Sequence, residues 1–129
     1  MADPRVEKLA DILVHYCTNV QPGDWVLVRG HVLALALVEE VVKSVTSAGG
    51  NPTLQLYTDD LDEAFLRTAS DAQLDWSSPV DELMAEKLDV RIGIVAASNT
   101  RALTGIDPQK QQRFQKARRR LRQAQHARR

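Results

Sequence analysis

The stretch Asp89-Val-Arg-Ile-Gly-Ile-Val-Ala-Ala-Ser-Asn-Thr-Arg-Ala-Leu-Thr-Gly-Ile-Asp-Pro108 reads as a strand, a polar loop and the start of a helix. Val90, Ile92, Ile94 and Val95 form a short β-branched run suited to a strand inside a sheet. Ser98, Asn99, Thr100 and Arg101 cluster at its carboxyl end, and Thr104-Gly105 turns the chain. Asp107 is placed to N-cap the next helix, with Pro108 at its first position. In open α/β sheets, ligands and partners meet the protein beyond the carboxyl ends of the strands. Asn99, Thr100 and Arg101 are therefore candidates for a cleft edge or a domain interface.

Outward from this stretch, the same alternation of elements recurs. Asp3-Pro4 is a second helix start, and Val6, Leu9, Ala10, Leu13 and Cys17 follow at helical spacing. Residues 4–18 are thus expected to form an amphipathic helix, with Cys17 as a buried small hydrophobe on its stripe. Gln21-Pro-Gly-Asp24 suits a type II turn, and Trp25–Val28 reads as a strand ending at Arg29-Gly30. His31 to Ala48 read as a helix whose apolar first half (Val32, Leu33, Leu35, Ala36, Leu37, Val38) is expected in the deepest part of the fold. Gly49-Gly50 ends it, and Pro52–Tyr57 forms the next strand, with Leu54 and Leu56 on one face. Strand, helix and strand over about 33 residues make a parallel βαβ unit.

Residues 58–88 carry two or three short helices. Leu61, Phe65 and Leu66 mark one, and Ser70-Asp-Ala-Gln73 is a capping box opening another. Ser78-Pro79 caps a third, with Val80, Leu83, Met84 and Leu88 facing inward. The final helix, over 107–129, carries a narrow stripe of Phe114, Ala117, Leu121 and Ala124. The fold class is α/β: a three-layer fold on a small parallel sheet of about three strands, in the order 2-1-3. The last helix looks like a crossover toward a further strand that these residues do not supply.

Composition narrows the function. Hydrophobic residues make up 43% and charged residues 26%, the balance of a globular chain. The net charge of zero conceals a split: 1–109 hold eight Lys/Arg and all 17 Asp/Glu, while 110–129 hold nine Lys/Arg and no acid. Arg118-Arg-Arg120, Arg122, Arg128 and Arg129 have the charge to neutralise phosphates, but Phe114 is the one aromatic among these residues. A solvated face, or one complementing the acidic remainder, is the simpler reading. No stretch is long and apolar enough to span a bilayer, and no secretory pattern opens the chain. With Cys17 as the single cysteine, the expected compartment is the cytoplasm.

The sequence shows no complete active site. Arg29-Gly30-His31 lies where phosphate-binding loops sit, yet it is not G-x-G-x-x-G, and no G-K-[ST] occurs. His15, His31 and His126 are far apart, none with a metal-ligand partner at i+3 or i+4. His15 reads as a surface residue. His31, at a strand end, reads as a helix-start residue, with a ligand or cleft-edge role as the alternative. Asp59, Asp60, Asp62 and Glu63 open a helix, where acids offset the dipole, and lack the Gly-containing loop of a cation site. Ser98 has no evident base or elbow motif.

A family resemblance runs alongside this reading. Asp3-Pro-Arg-Val-Glu-Lys-Leu-Ala10, Val20-Gln-Pro-Gly-Asp24, Ala69-Ser-Asp-Ala-Gln-Leu-Asp75, Asp89-Val-Arg-Ile92 and Asn99-Thr-Arg-Ala-Leu-Thr-Gly-Ile-Asp-Pro108 resemble the opening of the thermophilic aminopeptidases. These are the dinuclear metallopeptidases called aminopeptidase T, S or II, and the match runs in register across nearly all of the chain. The resemblance implies a two-domain enzyme, a homo-oligomer such as a dimer, that removes N-terminal amino acids from peptides. It implies two divalent ions (zinc, cobalt, magnesium or manganese) held by Glu, His, Tyr and Asp of a following catalytic domain. Residues 1–129 then form the N-terminal α/β domain, with that catalytic domain and the peptide substrate as partners. No catalytic, cofactor-binding or metal residue transfers to any position here. Arg118–Arg129 departs from the family pattern. The alternative is an independent nucleic-acid-binding module that uses the basic last helix.

Overall fold

A computed structural model describes residues 3–96, 108–110, 112, 113 and 116. The chain divides into two compact units: Met1–Tyr57 with Leu88–Ala97, and Thr58–Lys87 with Ser98–Arg129.

The first unit holds helix α1 (Pro4–Asp11), a π-helical turn (Ile12–Cys17), strand β1 (Trp25–His31), a 3₁₀ turn (Val32–Ala34), helix α2 (Leu35–Ser47), and strands β2 (Asn51–Tyr57) and β3 (Val90–Ile94). The sheet is open, parallel and ordered β2-β1-β3, as the sequence predicts. Period-2 alternation puts Val90, Ile92 and Ile94 inside and leaves Arg91 and Gly93 outside. Val26 and Val28 join them, packed on Ala10, Val14, Val38, Val41 and Val45 of the helical layer. Leu27, pointing to the other face, is also fully buried. Burial on both faces is what a central parallel strand requires.

The entry ends of the strands are tied together. The Trp25 amide donates to Asp89 Oδ2 (2.8 Å), and the Asp89 amide donates to the Trp25 carbonyl (3.0 Å). The Asn51 amide donates to the Asp24 carbonyl (2.7 Å). Because Asn51 turns its amide toward β1, alternation turns Pro52 toward the open edge of β2, where a missing N–H costs the ladder nothing.

The turn and cap chemistry follows the sequence. Pro22-Gly23 forms the predicted turn, with Gly23 at φ 88° and the Asp24 amide bonded to the Gln21 carbonyl (3.1 Å). Helix α2 ends in a Schellman cap. Gly49 is at φ 89° and its amide donates to the Thr46 carbonyl, while the Gly50 amide reaches back to Val45. Asp3 caps α1 through the Arg5 amide (2.9 Å), with Pro4 in the first turn.

Gly30 sets how closely α2 lies on the sheet. A Cβ at residue 30 would overlap Cγ2 of Val38, which is itself buried.

Several expectations are corrected. The first half of the second helix is not the deepest part of the fold: Leu33 is 75% exposed, and Val32, Leu35 and Ala36 are exposed as well. The chain leaves β1 through a 3₁₀ turn, and only one face of α2 meets the sheet, so an all-apolar stretch gains no further neighbours. Cys17 is exposed. The i→i+5 winding of residues 12–17 rotates it off the α1 stripe, and the Thr18 hydroxyl instead bonds the carbonyls of Leu13 (2.9 Å) and Val14 (3.1 Å). Leu9, on the same predicted stripe, is also exposed.

The second unit holds α3 (Asp59–Thr68), α4 (Asp71–Asp75) and α5 (Pro79–Lys87), and residues 108–110, 112, 113 and 116 are helical. Thr58 caps α3, Ser70 and Gln73 form the predicted capping box of α4, and the Ser78 hydroxyl accepts from the Val80 amide at the start of α5. Leu66, Ala69 and Leu74 form a small buried cluster. Met84 is buried, whereas Leu61, Phe65, Val80 and Leu83 are exposed, contrary to the inward facing predicted for Val80 and Leu83. The stripe at Phe114, Ala117, Leu121 and Ala124 lies outside the described residues. No helix among the described residues is long and apolar enough to cross a membrane.

Gly30→Ala is expected to lower stability by about 1–3 kcal/mol in urea unfolding, as overpacking of a dense interior does. Combined with Val38→Ala, which vacates the overlapped position, the same substitution should cost markedly less than it does alone.

Candidate functional site

The carboxyl edge of the sheet is built by β1 and β2. Alternation along β1 puts Trp25, Leu27, Arg29 and His31 on the face opposite Val26, Val28 and Gly30. In the parallel register Arg29 pairs with Gln55 and His31 with Tyr57, so Tyr57 shares their face. The same face begins, at the amino end, with the indole of Trp25 donating to Thr53 Oγ1 (2.8 Å).

Three side chains meet at the far end. The Arg29 guanidinium lies 3.9 Å from the centroid of the Tyr57 ring, a cation–π contact. The His31 ring meets Tyr57 edge-on, with centroids 5.1 Å apart and planes at 83°. His31 is buried, and its Nδ1 accepts the Leu33 amide (3.1 Å), capping the 3₁₀ turn. The helix-start role read from the sequence is thus what this nitrogen performs. Arg29 is half-buried, and among the described residues it makes no hydrogen bond or ion pair. The sequence reading missed the Arg29–Tyr57 pair. The signal was available, since both residues sit near the carboxyl ends of strands expected to be neighbours and parallel.

Asn99, Thr100 and Arg101 lie outside the described residues. Their approach is described: Gly30 pairs with Ile94, so the chain leaves β3 beside the end of β1. Val95, the next residue, is exposed.

The acidic run has local work. Asp59, Asp60 and Asp62 occupy the first turn of α3, and Glu63 pairs with Arg67 (2.8 Å). Basic residues of the last helix also have partners within the second unit. Lys110 Nζ donates to the carbonyls of Leu66 (3.3 Å) and Ala69 (3.1 Å) at the end of α3. Arg113 pairs with Asp71 (2.9 Å) and Asp75 (3.5 Å) on α4. These two cations complement acidic and carbonyl groups, while Arg118–Arg129 lies outside the described residues.

The sequence model of the thermophilic metalloprotease family (M29) matches residues 2–129. The chain belongs to that family. Among solved structures it is similar to "Wild-type AmpT from Thermus thermophilus", with a TM-score of 0.69 and 26% identity. That match covers 93% of this chain but 31% of the Thermus chain, so these residues span about a third of the relative's length. No curated protein matches. The name of the M29 family implies a metal. Among the described residues no three His, Cys, Asp or Glu side chains are grouped so as to hold one. The donor set needed for a metal centre is therefore not found in them, and no chemical step is assigned to their side chains.

His31→Ala removes a cap and should lower stability by about 1 kcal/mol in chemical denaturation. His31→Asn, which restores an acceptor, should recover part of that loss.

Proposed function

We propose that residues 1–129 are the N-terminal, non-catalytic α/β domain of a dinuclear metal-dependent aminopeptidase that removes N-terminal amino acids from peptides. The observation that carries this reading is a pair of lengths. The metalloprotease family matches residues 2–129, yet those residues correspond to 31% of the Thermus thermophilus chain. The lack of a metal-ligand group among the described residues fits a role outside the chemistry. In this reading a following domain holds two divalent ions (zinc, cobalt, magnesium or manganese), the longer protein assembles as a dimer in the cytoplasm, and the carboxyl edge of the sheet borders the peptide cleft. The isolated chain is then inactive toward aminoacyl substrates, and a chromogenic aminopeptidase assay tests this directly.

Arg101 is the residue of the polar loop best suited to grip a peptide carbonyl or carboxylate. In the longer enzyme, Arg101→Ala should mainly raise KM and leave kcat nearly unchanged, because the reaction itself stays with the metals. Unchanged kinetics with a lowered melting temperature would instead assign Arg101 a purely structural role.

A further inference from the structure

We propose that Arg29, stacked on Tyr57, is a subsite for the α-carboxylate of a short peptide. A partly buried arginine normally has an acceptor, because desolvating its charge without one is costly. Among the described residues Arg29 has only the ring of Tyr57, 3.9 Å from its carbon. Stacking occupies a face of the planar group and leaves its in-plane N–H edge to a ligand. The ring also fixes that plane in advance, so less side-chain entropy is lost on binding. Tyr57 makes in turn a T-shaped contact with the His31 ring, whose Nδ1 is committed to the Leu33 amide. The ensemble lies at the carboxyl ends of two parallel strands, where open α/β sheets take their ligands.

The chemistry of the ligand follows from the donor. One planar fork matches a carboxylate, which accepts two parallel N–H bonds. A phosphate dianion is held best by more than one cation, and a single guanidinium fork is the simpler match to a carboxylate. That the carboxylate belongs to a peptide rests on the metalloprotease reading, since an unmodified linear peptide ends in an α-carboxylate.

The test is an NMR titration of the chain, following the Arg29 Nε–H and the Tyr57 ring. The probes are N-acetyl-Ala-Ala with a free carboxylate, its C-terminal amide, and inorganic phosphate. The free acid should give saturable shifts at both groups in the millimolar range, and the amide should bind at least tenfold more weakly. Arg29→Gln should abolish the shifts of the Tyr57 ring. Arg29→Lys, which keeps the charge and loses the fork, should weaken binding severalfold, while Tyr57→Phe keeps the ring and should leave affinity unchanged. Equal binding of acid and amide, tighter binding of phosphate, or no shift with the free acid would overturn the proposal. Binding without aminopeptidase activity in the longer protein would keep the subsite and remove the peptidase reading. Activity without binding would do the reverse.

Discussion

Helix α2 lies against the central strand at a distance that only a glycine permits. Val38 occupies the space where a side chain at residue 30 would stand. This contact sets the depth of the helical layer, and with it the packing of Val41 and Val45 on Val26 and Val28. Immediately beyond Gly30, His31 is the last residue of β1 and caps the turn that leads into α2. Arg29 and His31 each adjoin Gly30 in β1, so this packing constraint sits beside two members of the Arg29–Tyr57–His31 cluster. Gly30 stands where phosphate-binding loops sit but lacks their motif, and the structure gives it a packing role.

Much of the fold was legible because local chemistry and tertiary structure agree. Gly49-Gly50, Pro22-Gly23 and the Ser70–Gln73 box each specify one backbone arrangement, and each adopts it. The strand order could be anticipated because a βαβ unit leaves few topologies open. The failures have physical causes as well. Hydrophobicity reports what a residue tolerates, not what lies beside it, so Leu33 and Leu35 read as core and are exposed. Cys17 was misplaced because a stripe drawn at 3.6 residues per turn fails once the winding becomes π-helical. The Arg29–Tyr57 contact joins residues far apart in sequence, and the register of β1 and β2 turns their nearness at the strand ends into a shared face.

The two units differ in what holds them. The first rests on branched aliphatic side chains packed between sheet and helices. The second has a small apolar cluster, helped by capped short helices and by Lys110 and Arg113 bridging to α3 and α4. Exposed ion pairs contribute little each, ~0–1 kcal/mol, so caps and carbonyl contacts carry more of the order there. Lys43 illustrates the same limit in the first unit. Its hydrogen bond to Glu40 (3.0 Å) raises its pKa, so the stabilisation linked to the Lys43 charge is present at neutral pH and is lost as pH rises through the raised value.

The chain belongs to the M29 family, and in the proposed function its residues shape and bind while another domain holds the metals. The most direct test is calorimetric titration of the purified, metal-stripped chain with zinc and with cobalt. No stoichiometric site of micromolar or better affinity is expected for either ion. A tight site of one or two ions per chain, accompanied by hydrolysis of an aminoacyl substrate, would contradict it.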